Sequence, residues 1–426
     1  MKRTFLSLLF IAALLSTALA QTITTSTPEA AGFSSERLKR IDVAMNDWVN
    51  KGYLNGASAL IIRNGKVAYY KAAGYDDLDT KAPLPKDGIF RIASQSKAIT
   101  SVAIMILFEE GKLLLSDPVS LYIPSFKGQS VLAQLNAADT TYTTVPARRE
   151  ITIKDLLTHT SGVGYAQIGS REANMIYGKS KLTAGIGVSH ESLQTAMSRL
   201  GTLPLMHQPG ERWTYGLNND VLGAIVEVIS GMSLDDFFRT RIFEPLGMKD
   251  TYFNVPQAKA SRLVNLYTEK PDGTLAKAQA NMLNNGPVTA AYPLVKTSYF
   301  SGGAGLSSSI YDYAIFLQML LNNGEYNGKR ILSRNSVRMM TTNQVGEIPI
   351  SNEDKFGLGF QIVTDKSSGR TPAQAGTFGW GGAFGTSYWV DPKEKMVLLI
   401  YRQMQARTHN EVIEKFRAMA YGALSE

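Results

Sequence analysis

Between Phe33 and Gly52 the apolar residues Leu38, Ile41, Met45 and Trp48 recur at helical spacing, after a Ser34-Ser35-Glu36 start. The pattern predicts a capped amphipathic helix. Two strand-like stretches follow, 57–62 and 67–73, on either side of Asn64-Gly65. Asn-Gly suits a tight two-residue turn, so an antiparallel hairpin is expected. The next segment is of another kind, because 101–108 is almost unbroken hydrocarbon closed by Glu109-Glu110-Gly111. A helix that is apolar on every side is buried, and Gly111 is its stop. From about Ser116 to about Pro349 helical periodicity dominates, clearest at 152–158, 221–229, 234–242, 310–321 and 333–341. Strand patterns return at 357–363, 375–380, 385–390 and 396–401, and an amphipathic helix at 410–421 ends the chain. Strands near both ends with helices between them predict an α/β (α+β) fold. Its antiparallel sheet, flanked by helices, is formed from 21–115 and 350–426, and a mostly helical domain, 116–349, is inserted.

The first twenty residues stand apart. Met1-Lys2-Arg3, an apolar stretch over 5–15 and Ala18-Leu19-Ala20 before Gln21 form the pattern of a signal peptide cut after Ala20. The expected location is periplasmic or secreted. No later run reaches the roughly 18 apolar residues of a membrane span, and no cysteine follows Ala20 to carry a lipid. The chain has no cysteine and is 44% hydrophobic, so a large apolar core rather than disulfides must hold it together. Of the net charge of +8, Lys2 and Arg3 supply two, leaving +6 after the leader. The charges are dispersed, without the basic run or aromatic-interleaved surface of a nucleic-acid binder.

Candidate chemistry begins where the buried helix begins. Ser94-x-x-Lys97 is the one Ser-x-x-Lys in the chain. It sets a hydroxyl at a helix N-terminus, where N–H groups favour a developing oxyanion, with an amine on the same helix face. An ammonium pushed toward dry protein beside a positive helix end loses its proton more easily and can then accept the serine proton. The same residues also read as a serine cap followed by an exposed lysine. Tyr215 ends a Pro209-Gly210 turn and could relay the serine proton, or it could be a packed aromatic. In 378–383 the glycines around Trp380 could bring a backbone N–H to a substrate oxygen, or mark a closely packed strand. His159, His190, His207 and His409 lack metal-ligand spacing, so no metal or cofactor is expected. His159 reads as a structural residue at a helix end. The cluster 301–305 fails the phosphate-loop and dinucleotide fingerprints and reads as a turn opening the helix near Ile310. There is no Gly-x-Ser-x-Gly.

Ser94-x-x-Lys97, Tyr215-Gly216-Leu217 and Trp380-Gly381-Gly382, in this order, resemble the three motifs of the serine β-lactamase and penicillin-binding superfamily. The likeness also covers 151–162, 244–248 and 356–359, and so nearly the whole mature chain. Within that superfamily the chain is most similar to the class C-like branch, and there to the family VIII carboxylesterases. The resemblance implies a β-lactamase/transpeptidase-like fold with the active site between its two parts. It implies Ser94 as acylated nucleophile, Lys97 and Tyr215 as base system, and the N–H groups of Ser94 and Ala383 as oxyanion hole. Substrate contacts fall to Trp380, Gly381, Gly382 and Leu217. Two departures redirect the substrate expectation. Leu217 stands where penicillin-recognising members carry an asparagine, and Trp380 where they carry a lysine. Both point to small neutral esters as substrates. The alternatives are a β-lactamase, a D-amino-acid peptidase, a hydrolase of small linear amides, or a non-catalytic sensor domain.

Overall fold

The computed structural model describes residues 22–182, 185–278, 289–405 and 408–425, and the predicted signal peptide lies outside them. The helix Ser35–Asn50 starts where the Ser34 side chain accepts the Arg37 amide, and it buries Leu38, Ile41, Met45 and Trp48. The hairpin consists of strands Gly56–Arg63 and Lys66–Asp77. Asn64 and Gly65 turn it with φ of 52° and 73°, the left-handed pair such a turn needs.

Around this hairpin a nine-stranded sheet assembles from strands near both chain ends. Gly56–Arg63 pairs with Met396–Tyr401, and the ladder continues antiparallel through Thr386–Asp391, Phe378–Gly381, Gln361–Ile362 and Lys355–Phe356. Thr24–Thr25 adds to Lys66–Asp77 in parallel. Side chains alternate faces along a strand, and here both faces are covered. Ala57, Ala59, Ile61, Leu398 and Ile400 pack with apolar residues of Ser35–Asn50 and of the C-terminal helix Glu411–Gly422. Leu60, Ile62, Val397, Leu399 and Tyr401 join the larger core built on helices Ser96–Glu109 and Ile310–Leu321. Residues 96–107 of the first of these are all buried, as its composition demands. No helix among the described residues is long and apolar enough to cross a membrane.

Some elements differ from the sequence reading. The run 357–363 is no single strand. It turns at 357–360, with Gly359 at φ 96°, between the strands Lys355–Phe356 and Gln361–Ile362. The segment 234–242 starts as α-helix Leu234–Phe238 and passes into π-helix at Arg239–Phe243. The hairpin Ser130–Leu135/Tyr142–Pro146 left little trace in the sequence because much of it is exposed and shows no apolar alternation. A small sheet matters more for the site: Ser307–Ser309 pairs with both Ile89–Arg91 and Thr251–Tyr252. It fastens the polar turn 301–305 beside the segment that carries Ser94.

Candidate active site

Strand Ile89–Arg91 leads into a 3-10 turn, Ala93–Gln95, and only then does the helix Ser96–Glu109 begin. Ser94 therefore sits just ahead of the α-helix, and Lys97 is that helix's second residue. From Ile89 to Leu107 every residue is buried except Ser94. The turn is tied from several sides. Ile92 N–H donates to the Leu306 carbonyl at 3.1 Å, and the Tyr313 and Tyr401 hydroxyls donate to the Gln95 carbonyl and Oε1 at 2.8 and 2.6 Å. These ties hold Ala93 at φ 44°, a left-handed conformation an L-residue keeps only when its surroundings over-determine it. Ser96, the other serine next to Lys97, is fully buried, and its Oγ accepts the Leu306 N–H at 3.1 Å. Ser96→Ala is expected to cost about 1 kcal/mol of stability and to leave ester hydrolysis in place, read from melting curves and steady-state rates.

Lys97 is 3% exposed. Its ammonium donates to the Gly303 carbonyl at 2.7 Å, to the Tyr165 hydroxyl at 2.9 Å and toward Ser94 Oγ at 3.4 Å. Three directions serve two states. The charged form fills all three, whereas the neutral amine keeps two donors in place and turns its lone pair to the serine proton.

Tyr215 meets Lys97 through its ring face, with Nζ 4.7 Å from the ring centroid. The hydroxyl bonded directly to Lys97 is that of Tyr165, which interacts in turn with the Tyr215 hydroxyl. Burial first, and the neighbouring Tyr215 second, push the Tyr165 phenol well above its ordinary range. Tyr165 therefore stays protonated near neutrality. Trp380 Nε1–H donates to the Tyr215 hydroxyl at 3.3 Å. Trp213 stacks on Tyr215 with centroids 5.9 Å apart, and Phe356 stands edge-on to Trp380 at 5.6 Å. His159 packs against Tyr215 at 5.1 Å, and burial, aided by the Lys97 charge, holds its imidazole well below the usual range. The Asn218 amide donates to His159 Nδ1 at 2.8 Å, so His159 is a neutral packing and hydrogen-bonding residue.

Strand Phe378–Gly381 carries Trp380 to this cluster. A Cβ at Gly382 would stand 2.4 Å from the Ile92 carbonyl. Glycine there lets the strand end press on the Ser94 turn, and the next residue, Ala383, is exposed. Leu217 requires a correction. Its side chain is fully buried in the main core, so it offers no surface to a substrate. The two asparagines after it are engaged as well, Asn218 with His159 and Ser161, and Asn219 with the Lys97 carbonyl at 3.2 Å.

Tyr165, Trp213, Phe356 and Gly303 join the site without having stood out as site residues in the sequence. Tyr165 lies just past the stretch 151–162 noted above, which was the one signal available for it. The 301–305 cluster is a turn, as expected, but it also supplies the carbonyl that holds Lys97. Among the described residues no group of His, Asp or Glu is arranged to hold a metal ion.

The family model described as Beta-lactamase matches residues 41–420. Protein Rv1367c of Mycobacterium tuberculosis is 36% identical over 360 residues, covering 82% of this chain and 85% of its own. Esterase EstB of Burkholderia gladioli is 30% identical over 364 residues, covering 83% and 86%. Among solved structures, EstCE1, described as a hydrolase with promiscuous acyltransferase activity, superposes with a TM-score of 0.76. It is 26% identical, with 91% of this chain and 98% of that one covered. The chain belongs to the Beta-lactamase family, and its likeness to esterase EstB and to the hydrolase EstCE1 makes it a serine hydrolase of that fold.

Proposed function

We propose that this serine hydrolase cleaves small, neutral carboxylic esters through an acyl-enzyme on Ser94. The observation that carries the substrate class is Trp380. At the position beside Tyr215 it presents an indole donating to the tyrosine hydroxyl, within a cluster of Trp213, Tyr215 and Phe356. An indole there gives a substrate carboxylate no ion pair. The likeness to esterase EstB supports the same reading.

In the proposed reaction Ser94 Oγ attacks the ester carbonyl as its proton passes to the Lys97 amine. The oxyanion is received by the N–H groups of Ser94 and Ala383. The alcohol leaves with a proton from the Lys97–Tyr165–Tyr215 array, and a water deprotonated by the same array then releases the acid. We also infer export through cleavage after Ala20. Gln21 at the start of the protein isolated from its own cells would support this, and an intact Met1 would refute it.

The test of substrate class is a direct comparison. An uncompensated carboxylate against an indole loses on the order of 1 to 3 kcal/mol, and a short ester has no such group to desolvate. A nitrophenyl ester of a short acid is expected to exceed a chromogenic cephalosporin in kcat/KM by roughly five- to a hundredfold. Trp380→Lys is expected to narrow that ratio. A partner change at Leu217 would only bury an amide in the core. A wild-type cephalosporin rate equal to the ester rate would promote the β-lactamase reading.

A further inference from the structure

Asp220 is a carboxylate the reaction above does not use. It lies fully buried in the first turn of helix Asn218–Ser230. Its Oδ1 accepts the Ser301 hydroxyl at 2.6 Å and the Tyr299 hydroxyl at 3.3 Å. Its Oδ2 faces the backbone of Gly303, where an added Cβ would stand 2.4 Å from Oδ2 and 3.5 Å from Lys97 Nζ. Gly303 thus lies between the buried Asp220 carboxyl and the buried Lys97 ammonium, giving its carbonyl to the ammonium and setting its backbone against Oδ2, which makes no hydrogen bond of standard geometry. A side chain at 303 would have no room between them.

A buried carboxylate without a direct ion pair is costly unless a nearby cation and hydrogen bonds compensate it. Burial pushes the Asp220 carboxyl up, while Ser301, the Lys97 charge and Tyr299 pull it back toward ionisation. The other titratable groups that face it are the hydroxyls of Tyr299 and Tyr165. Charges on elements packed against its helix are engaged elsewhere. Asp155 pairs with Arg149, Arg199 with Glu191 and Asp236 with Arg239. Asp235 faces Asp236 and Arg239, and Lys154 is exposed. Glu227 accepts from Gln194 and from the Leu234 N–H. Lys97 is the cation that Asp220 faces.

We infer that Asp220 is a positioning residue for the Lys97 proton: across Gly303 its charge favours the ammonium and so sets the pH above which Lys97 can accept the proton of Ser94. The inference rests on the acyl-enzyme reading, and it makes Ser301 the residue that keeps Asp220 ionised. An opposite charge at this range favours the charged form of its neighbour by the equivalent of about one to three pH units. A purely structural Asp220, one that only ties down the 299–305 turn, would change stability and leave the pH profile where it was.

The experiment compares the full chain with Asp220→Asn and Ser301→Ala. One readout is kcat/KM for a nitrophenyl ester against pH. The other is the rate at which a fluorophosphonate labels Ser94, followed by intact mass. In that labelling the Ser94 Oγ–P bond forms, the P–F bond breaks, fluoride leaves and the serine proton passes to Lys97. Asp220→Asn is expected to move the acidic limb of both profiles down by roughly one to three pH units, and Ser301→Ala to move it the same way by less. A folded Asp220→Asn with an unmoved limb, or one moved upward, overturns the inference while leaving the acyl-enzyme reading intact. If Asp220→Asn does not fold, Ser301→Ala decides, and an unmoved limb there overturns it too. A wild-type chain whose Ser94 takes no label and shows no ester turnover overturns both readings together.

Discussion

Ser94→Ala is expected to lower ester turnover by roughly four to six orders of magnitude, the range seen when a serine nucleophile is removed from a site whose members act as one unit. The expectation follows from access as much as from chemistry. Other hydroxyls crowd Lys97, but Ser96, Thr100 and Ser101 are fully buried. Ser96 Oγ accepts the Leu306 N–H, Thr100 donates to the Gly302 carbonyl at 2.7 Å, and Ser101 Oγ accepts the Asn219 amide at 3.4 Å. None can reach a substrate carbonyl without breaking the core. Ser94 alone combines partial exposure with a hydrogen bond to the lysine. Intact mass after brief exposure to an ester should show an acyl increment on the wild type and none on Ser94→Ala. Retention of most turnover by Ser94→Ala would refute the assignment of the nucleophile.

What could be read from the chain was what local spacing encodes. Ser94 and Lys97 are one helical turn apart, so their proximity was visible, and so were the four core residues of Ser35–Asn50 and the Asn64-Gly65 turn. Tyr215 and Trp380 were found through their neighbours in motif, since nothing local says that residues 165 positions apart share a hydrogen bond. Asp220 and Gly303 were beyond either signal. Asp220 looked like the first acidic residue of a helix, a common place for one, and 301–305 looked like any glycine-rich turn. The positions of the Gly303 carbonyl and the Asp220 carboxylate beside Lys97 depend on long-range contacts such as the pairing of Ser307–Ser309 with Ile89–Arg91. Leu217 departs from the substrate contact its motif position implies for a related reason. A motif position names a residue but not its direction, and the start of helix Asn218–Ser230 turns this side chain into the core.

Lys97→Ala and Tyr215→Phe are each expected to cost about two to four orders of magnitude in kcat with little change in KM, because both groups move or steady a proton rather than hold the ester. Their effects should not multiply. Lys97 meets Tyr215 through the ring face, and the hydroxyl route between them passes through Tyr165. Once the lysine is gone, the tyrosine hydroxyl has no amine from which to draw a proton or to which it can return one. Tyr165 is kept neutral by burial and can hand a proton on without acting as the base itself. Tyr165→Phe should therefore lower kcat less than either, and should add little to Tyr215→Phe. The measurement is a double-mutant cycle in kcat on one nitrophenyl ester. If Lys97→Ala with Tyr215→Phe lost the full product of the two single losses, the two groups would be acting on separate steps. The shared proton path through Tyr165 would then have to be abandoned, with the Tyr215 hydroxyl assigned a role independent of the Lys97 amine.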